Sequence, residues 1–279
     1  MTGAVLQSHQ ISAADGTALF VTDYLLPAAK AHGSIVLMHG LGEHSGRYKH
    51  LAHFFNDCGL SVRCYDHRGH GRSEGARGDV INGNPMVQDA EIIIDDFSAH
   101  FADPPFLFGH SMGGLFAARF ALSKLSPLRG LILSSPALAV RLSAFQLALL
   151  DVMHALAPRL GVPNGLQPEF LSHDQLVVDA YRADPLVHNK ISARLLRSML
   201  NSIEFWQTHI TTLSMPTLMV VSGDDHLVDA SGSQAFFQQA PTGTAEMHLY
   251  PRLYHEVFNE TGTREPYDDV HAWLKLHGI

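Results

Sequence analysis

Cysteine is nearly absent, with Cys58 and Cys64 the only two in 279 residues. Two cysteines make no disulfide framework, and neither C-x-x-C nor a zinc-ligand spacing occurs, so a reducing compartment is the simplest expectation. No apolar run approaches about 18 residues, which excludes a membrane-spanning helix from the expected elements. The first ten residues lack a basic start followed by an apolar stretch, so no signal peptide is expected and a cytoplasmic setting follows. Charge is scarce as well. Charged residues make up 16% of the chain, against about 25% in an ordinary soluble domain. The balance is acidic, with 27 Asp and Glu against 19 Lys and Arg for a formal net charge of −8. No basic run exists, so nucleic acid is not an expected partner. Internal repeats and low-complexity tracts are missing too.

Apolar residues are plentiful, at 46% of the chain, which rules out a disordered protein. Area scaling for 30.6 kDa gives ~12,000 Å² exposed when folded against ~44,000 Å² unfolded. A large core therefore forms without disulfides or metal. Residues 7–27 read as two strands around the turn at Asp15-Gly16. Short apolar runs at 34–38, 60–65, 105–108, 131–134, 216–221 and 246–250 then alternate with helical patterns at 48–58, 87–101, 112–125, 231–239 and 268–276. Near-continuous apolar strands alternating with helices predict an α/β fold with a mostly parallel central sheet and helices on both faces. The rhythm breaks between residues 137 and 206, where helix-like segments at 142–156 and 191–203 replace buried strands. This divides the chain into a core of residues 1–136 and 207–279 with an inserted helical cap, 137–206. The segment 142–156 is apolar on more than one narrow stripe. It reads either as a buried core helix or as a lid whose apolar face lines an apolar ligand.

Gly109-His110-Ser111-Met112-Gly113 follows one predicted strand and opens one predicted helix. A G-x-S-x-G in that context is a nucleophile elbow, which presents the Ser111 hydroxyl alone above the sheet edge. The peptide N–H of Met112 then stands at a helix N-terminus, aimed at developing negative charge. A serine of this kind needs a base, and the base needs an orienting acid. In the elbow topology the acid and then the histidine follow the serine along the chain. Asp224 and Asp225 close the strand 216–221, and His255 follows the last strand. Spacing leaves Asp224 and Asp225 as alternatives for the acid. His209, His226, His248 and His271 read as surface or core residues. The second oxyanion donor is expected in His39-Gly40-Leu41-Gly42, where flanking glycines let the Leu41 N–H approach a substrate oxygen. The 19 histidines raise the question of a metal, but no H-E-x-x-H or completed ligand set is present. Neither metal nor cofactor is expected. Asp66 and Arg68, in the loop 66–73, read as buried hydrogen-bonding residues beside the site.

Three strings together carry a family resemblance: residues 39–48 (HGLGEHSGRY), 66–75 (DHRGHGRSEG) and 109–114 (GHSMGG). With Ser134-Ser135-Pro136, the stretch 181–187 and Asp225-His226-Leu227-Val228-Asp229, the chain resembles the monoacylglycerol lipase and lysophospholipase group of serine α/β-hydrolases over nearly its whole length. The resemblance implies an α/β-hydrolase fold. It implies Ser111 as nucleophile, Asp225 rather than Asp224 as acid, His255 as base, and oxyanion amides at Leu41 and Met112. It also implies that Glu43, Arg47 and Tyr181 lie near the polar end of the substrate. The cap matches the group only in patches.

The expected activity is hydrolysis of a single-chain lipid ester, monoacylglycerol first, through an acyl-enzyme. Lysophospholipase and short-chain esterase are the near alternatives, and a hydrolase-fold ligand receptor is the non-enzyme one. An aminopeptidase would need cap carboxylates for a free amine, and Asp151, Glu169, Asp174 and Asp179 form no obvious cluster. Ser111 at the elbow excludes hydrolases with an Asp nucleophile. An apolar cap is compatible with transient contact at a membrane surface. Nothing in the sequence sets an oligomeric state.

Overall fold

In the computed structural model, which describes residues 3–81 and 83–279, eight strands form one sheet. In chain order these are β1 (Val5–Ser12), β2 (Ala18–Leu25), β3 (Gly33–Met38), β4 (Leu60–Tyr65), β5 (Phe106–His110) and β6 (Gly130–Ser134). After a short pair, β7 (Gly161–Pro163) and β8 (Lys190–Ser192), come β9 (Thr217–Ser222) and β10 (Ala245–Tyr250). The spatial order is β1-β2-β4-β3-β5-β6-β9-β10. β2 runs antiparallel to both its neighbours, and every pair from β4 to β10 is parallel. This is the mostly parallel central sheet of the α/β fold that the sequence predicts.

The apolar runs are continuous because both faces of these strands are covered. Val36, Met38, Leu107, Leu131, Leu133, Met219 and Val221 belong to one buried cluster. Helices α2 (Pro85–Ser98), α3 (Met112–Ser123), α6 (Ala193–His209) and α7 (Ser231–Gln239) complete it. The alternate residues Ile35, Leu37, Phe106, Phe108, Ile132, Leu218 and Val220 belong to a second cluster under α1 (Lys49–Asp57) and α8 (Glu265–Leu276). The period-2 alternation of side chains splits each strand between the two cores. The folded chain exposes 11963 Å², in line with the area scaling.

Residues 135–216, between β6 and β9, add no strand to the central sheet. They contain α4 (Ala144–Leu156), the β7–β8 pair, α5 (Gln175–Ala183) and α6. The long α6 packs into the body of the protein. Leu195, Met199 and Trp206 join the first core cluster, Arg119 donates to Ser202 Oγ at 2.9 Å, and Trp206 Nε1 donates to the Leu138 carbonyl at 3.0 Å. Helix α4 differs from both sequence readings. Of its residues only Leu150 is buried, while Phe145 is 76% and Leu156 81% exposed. Most of its other apolar side chains face solvent. They neither fill a core nor line the cavity described below.

Candidate active site

Strand β5 ends at His110 and α3 begins at Met112, so Ser111 occupies the single residue between them. Its backbone sits at φ 54°, ψ −119°, a strained conformation that non-glycine residues seldom adopt. The flanking glycines are required by close approach. A Cβ on Gly113 would lie 2.3 Å from the Met38 carbonyl oxygen, and one on Gly109 would lie 2.6 Å from that of Gly113. The first turn of α3 thus packs directly on the end of β3, which brings the loop 39–42 beside the serine. A Cβ on Gly40 would come within 3.3 Å of Ser111 Cβ.

Ser111 opens on a cavity of about 500 Å³. Leu41 and Met112 line it, as do Asp225 and His226 from the loop after β9. Its apolar wall comes from Ala137, Val140, Leu166, Ile191, Leu196 and Met199. Four residues in that wall belong to the 137–206 segment beyond α4, which explains why the lid reading of α4 fails while the segment still shapes the cavity. Arg141 and Asp229 pair at its edge, and Asn164 stands over Gly42.

Of the two adjacent acids, the structure brings Asp225 to the imidazole. His255 Nδ1 donates to Asp225 Oδ2 at 2.7 Å, with both side chains buried. The other oxygen, Oδ1, accepts the N–H groups of Leu227 at 2.9 Å and Val228 at 2.8 Å. Asp224 is half exposed and pairs with His226 at 3.0 Å. Burial opposes charge on both members of the buried pair. For His255 the Asp225 carboxylate outweighs that penalty, helped by Glu256 and Glu43, and raises the pKa. For Asp225 the imidazole and the two backbone donors outweigh it and lower the pKa. His110, whose ring lies 4.7 Å from that of His255, is pushed down to about 4 by burial and by His255. It therefore stays neutral beside the His255–Asp225 pair.

Glu43, Arg47 and Tyr181 are brought together, but away from the lining of the large cavity. Glu43 Oε1 accepts the Gly40 N–H and the Tyr48 hydroxyl, each at 2.6 Å, and Glu43 Oε2 accepts from Arg47. The Arg47 guanidinium also grips Glu256 with two donors, at 2.6 and 2.9 Å, and lies over the Tyr181 ring at 4.8 Å. Burial works against ionised Glu43, and Arg47 leads the contacts that keep its pKa low. Sequence reasoning missed Glu256. Its only local signal is its place next to His255.

The loop 66–73 has the structural role expected of it. Asp66 accepts from Ser45 and the Arg72 N–H, and Arg68 bridges Asp89 and Asp15. His226 departs from its reading as a plain surface or core residue, because it lines the cavity and stacks on Phe170 at 4.4 Å. Among the described residues no group of three His, Cys, Asp or Glu side chains is arranged to hold a metal ion. The cap acids are engaged elsewhere: Asp151 with Arg197, Glu169 with Arg182, Asp179 with Gln175, and Asp174 at the N-terminus of α5.

The family model Hydrolase_4, serine aminopeptidase S33, matches residues 29–262. The chain is 33% identical over 281 residues to a monoacylglycerol lipase of Mycolicibacterium smegmatis, covering 99% of this chain and 100% of that one. It is 32% identical over 244 residues to the phospholipase YtpA of Bacillus subtilis, covering 86% and 93%. Among solved structures it is similar to the Paleococcus ferrophilus monoacylglycerol lipase, with a TM-score of 0.81, 32% identity and coverage of 98% and 99%.

Proposed function

The chain belongs to the Hydrolase_4 family, serine aminopeptidase S33, and from that premise we propose that it is a serine ester hydrolase cleaving monoacylglycerol to fatty acid and glycerol. One observation carries the reading. A strained serine opens on the same apolar cavity as the carboxylate that holds a buried imidazole. In the proposed reaction His255 takes the Ser111 proton as the oxygen attacks the ester carbonyl. The Leu41 and Met112 N–H groups receive the oxyanion. His255, held in one tautomer by Asp225, returns the proton to the departing glycerol. Water, deprotonated by the same imidazole, then releases the acid from Ser111.

The cavity wall supports a lipid acyl group. Each buried CH₂ contributes about 0.8 kcal/mol, so Leu166, Ile191, Leu196 and Met199 would favour a chain over a short acyl group. An amine substrate is disfavoured despite the family's name, because the cap acids are engaged by Arg197, Arg182, Gln175 and the N-terminus of α5. The likeness to a phospholipase supports a second reading, lysophospholipase. That substrate adds a charged headgroup, and the Arg141–Asp229 pair at the cavity edge supplies charge to meet it.

In this account residues 137–206 serve as the cap, anchored to the core of residues 1–136 and 207–279 through α6. Among the described residues no helix is long and apolar enough to cross a membrane. The exposed apolar face of α4 supports transient docking on a lipid surface, with the protein cytoplasmic and peripheral. The experiment is a turnover panel at matched concentrations: monoacylglycerols of several chain lengths, lysophosphatidylcholine, p-nitrophenyl acetate and an aminoacyl amide. The highest kcat/KM is expected for a medium- or long-chain monoacylglycerol. Preference for lysophosphatidylcholine would select the second reading, and preference for the amide would overturn both.

A further inference from the structure

Arg47 is the point where three distant stretches of chain meet. Its own loop follows β3 and carries the Leu41 amide. Glu256 comes from the loop after β10 and is covalently next to His255. Tyr181 comes from α5. The Arg47 side chain is only 11% exposed, and its guanidinium takes Glu43 on one side and the fork of Glu256 on the other. Glu43 passes the contact on, since its Oε1 holds the Gly40 N–H at 2.6 Å, one residue before Leu41. Asn259 Nδ2 fixes Glu256 Oε2 at 2.7 Å, and the His255 and Glu256 amides donate to the Phe170 and Leu171 carbonyls. These groups are occupied with one another and lie outside the large cavity.

We propose that Glu43, Arg47 and Glu256 form a brace that locks the loop bearing the Leu41 amide to the loop bearing His255, making them positioning residues rather than contacts for the glycerol end of the substrate. The inference rests on the assignment of Ser111, His255 and Leu41 made above. It supplies what that assignment needs, which is a mechanical link between an oxyanion donor and a base that come from opposite parts of the chain. The link matters because a misplacement of about 1 Å in such a constellation costs about 100-fold in rate. The brace also has an electrostatic side. Two carboxylates and one guanidinium leave a net charge of −1 beside the imidazole, which favours the imidazolium formed as Ser111 attacks. The groups facing His255 are Asp225 from the β9 loop, His110 from the end of β5, and this trio, with Tyr48 and His50 behind it.

The test uses Arg47→Lys, which keeps the charge but loses the fork, and the near-isosteric Glu43→Gln and Glu256→Gln. The last two keep the test open if Arg47→Lys does not fold. Each variant is assayed on 1-monolauroylglycerol and on p-nitrophenyl laurate, which share the acyl group while only the first has glycerol. The brace predicts that kcat falls by the same factor on both esters, about 100-fold for Arg47→Lys, with KM within about twofold. Glu256→Gln should also move the acid limb of kcat/KM to lower pH, because the imidazole loses a neighbouring negative charge. A loss confined to KM for the glycerol ester would overturn the brace and make these residues substrate contacts. Unchanged rates on both esters would overturn it as well. Ser111→Ala is run in parallel: turnover surviving there would sink the nucleophile assignment itself, separately from the brace.

Discussion

Replacing Asp225 by Asn changes one oxygen for one NH₂, and the geometry dictates which way the amide must face. Oδ1 of Asp225 accepts two backbone N–H groups, from Leu227 and Val228. In Asp225→Asn the amide oxygen has to stay there, since an NH₂ would meet two donors. The NH₂ then occupies the position of Oδ2, 2.7 Å from His255 Nδ1. Nδ1 must now accept, so the imidazole proton moves to Nε2, the nitrogen that should take the Ser111 proton. The base is held in the wrong tautomer while its position hardly changes. A swap of this kind lowers kcat by ~10⁴, equivalent to about 5 kcal/mol of transition-state stabilisation. Initial rates on a monoacylglycerol and on a p-nitrophenyl ester measure it, with the melting curve showing that the fold is kept. Asp224→Asn, at a half-exposed residue bonded to His226, should stay within about twofold of the parent. A kcat within tenfold of the parent for Asp225→Asn, or a crippled Asp224→Asn, would refute the tautomer argument.

Stability and surface behaviour carry two more predictions. His39, His67 and His70 pack against one another with their pKa values pushed down, first by burial and then by each other's charge; His188, beside them, is lowered to about 4 by burial and Arg77. Their folded values lie below the unfolded 6.5, so the stability they contribute is complete above about pH 6.5 and drains as pH falls below it. The three fully buried rings alone contribute at most about 4 kcal/mol per pH unit, and His188 and the equally lowered His110 act in the same direction. His255 opposes this, since its raised value adds stability at low pH that is lost as pH rises through the folded pKa. A melting temperature that drops steadily from pH 7 to pH 5 is expected, and a flat profile would contradict it. On α4, the combined change of Phe145, Leu149 and Val152 to Ser should weaken cosedimentation with phosphatidylcholine vesicles about 100-fold, at about 1 kcal/mol per side chain. Turnover of a water-soluble ester should be unaffected. Equal vesicle binding by both proteins would remove the docking role of α4.

How much was legible in advance follows from the range of the forces involved. The strands and the elbow could be read because their causes are local. Two-sided burial writes itself as continuous apolar runs, and the turn at Ser111 tolerates only glycine where α3 meets β3 and where Gly109 meets Gly113. Helix α4 could not be placed, because apolar periodicity signals an apolar neighbour without saying whether that neighbour is protein. The pair β7–β8 escaped because three residues are too few to show a period. Its register is set from outside, by the Gly78 carbonyl accepting the Ser192 N–H at 2.8 Å. Helix α5 had a signal that went unused, the cap residue Asp174, whose carboxylate accepts the Leu176 N–H. Glu256 is the instructive miss. Its partner Arg47 lies 209 residues away, so no local pattern marks it, and only the fold brings the two together.

The account depends most on an acyl group being carried by Ser111. The direct measurement is intact and peptide mass spectrometry after reaction with a long-chain alkyl fluorophosphonate. A single adduct on the peptide containing Ser111, formed in step with loss of monoacylglycerol turnover and abolished in Ser111→Ala, is the predicted result. Full inactivation with the adduct on another residue, or undiminished turnover once Ser111 is fully modified, would contradict it.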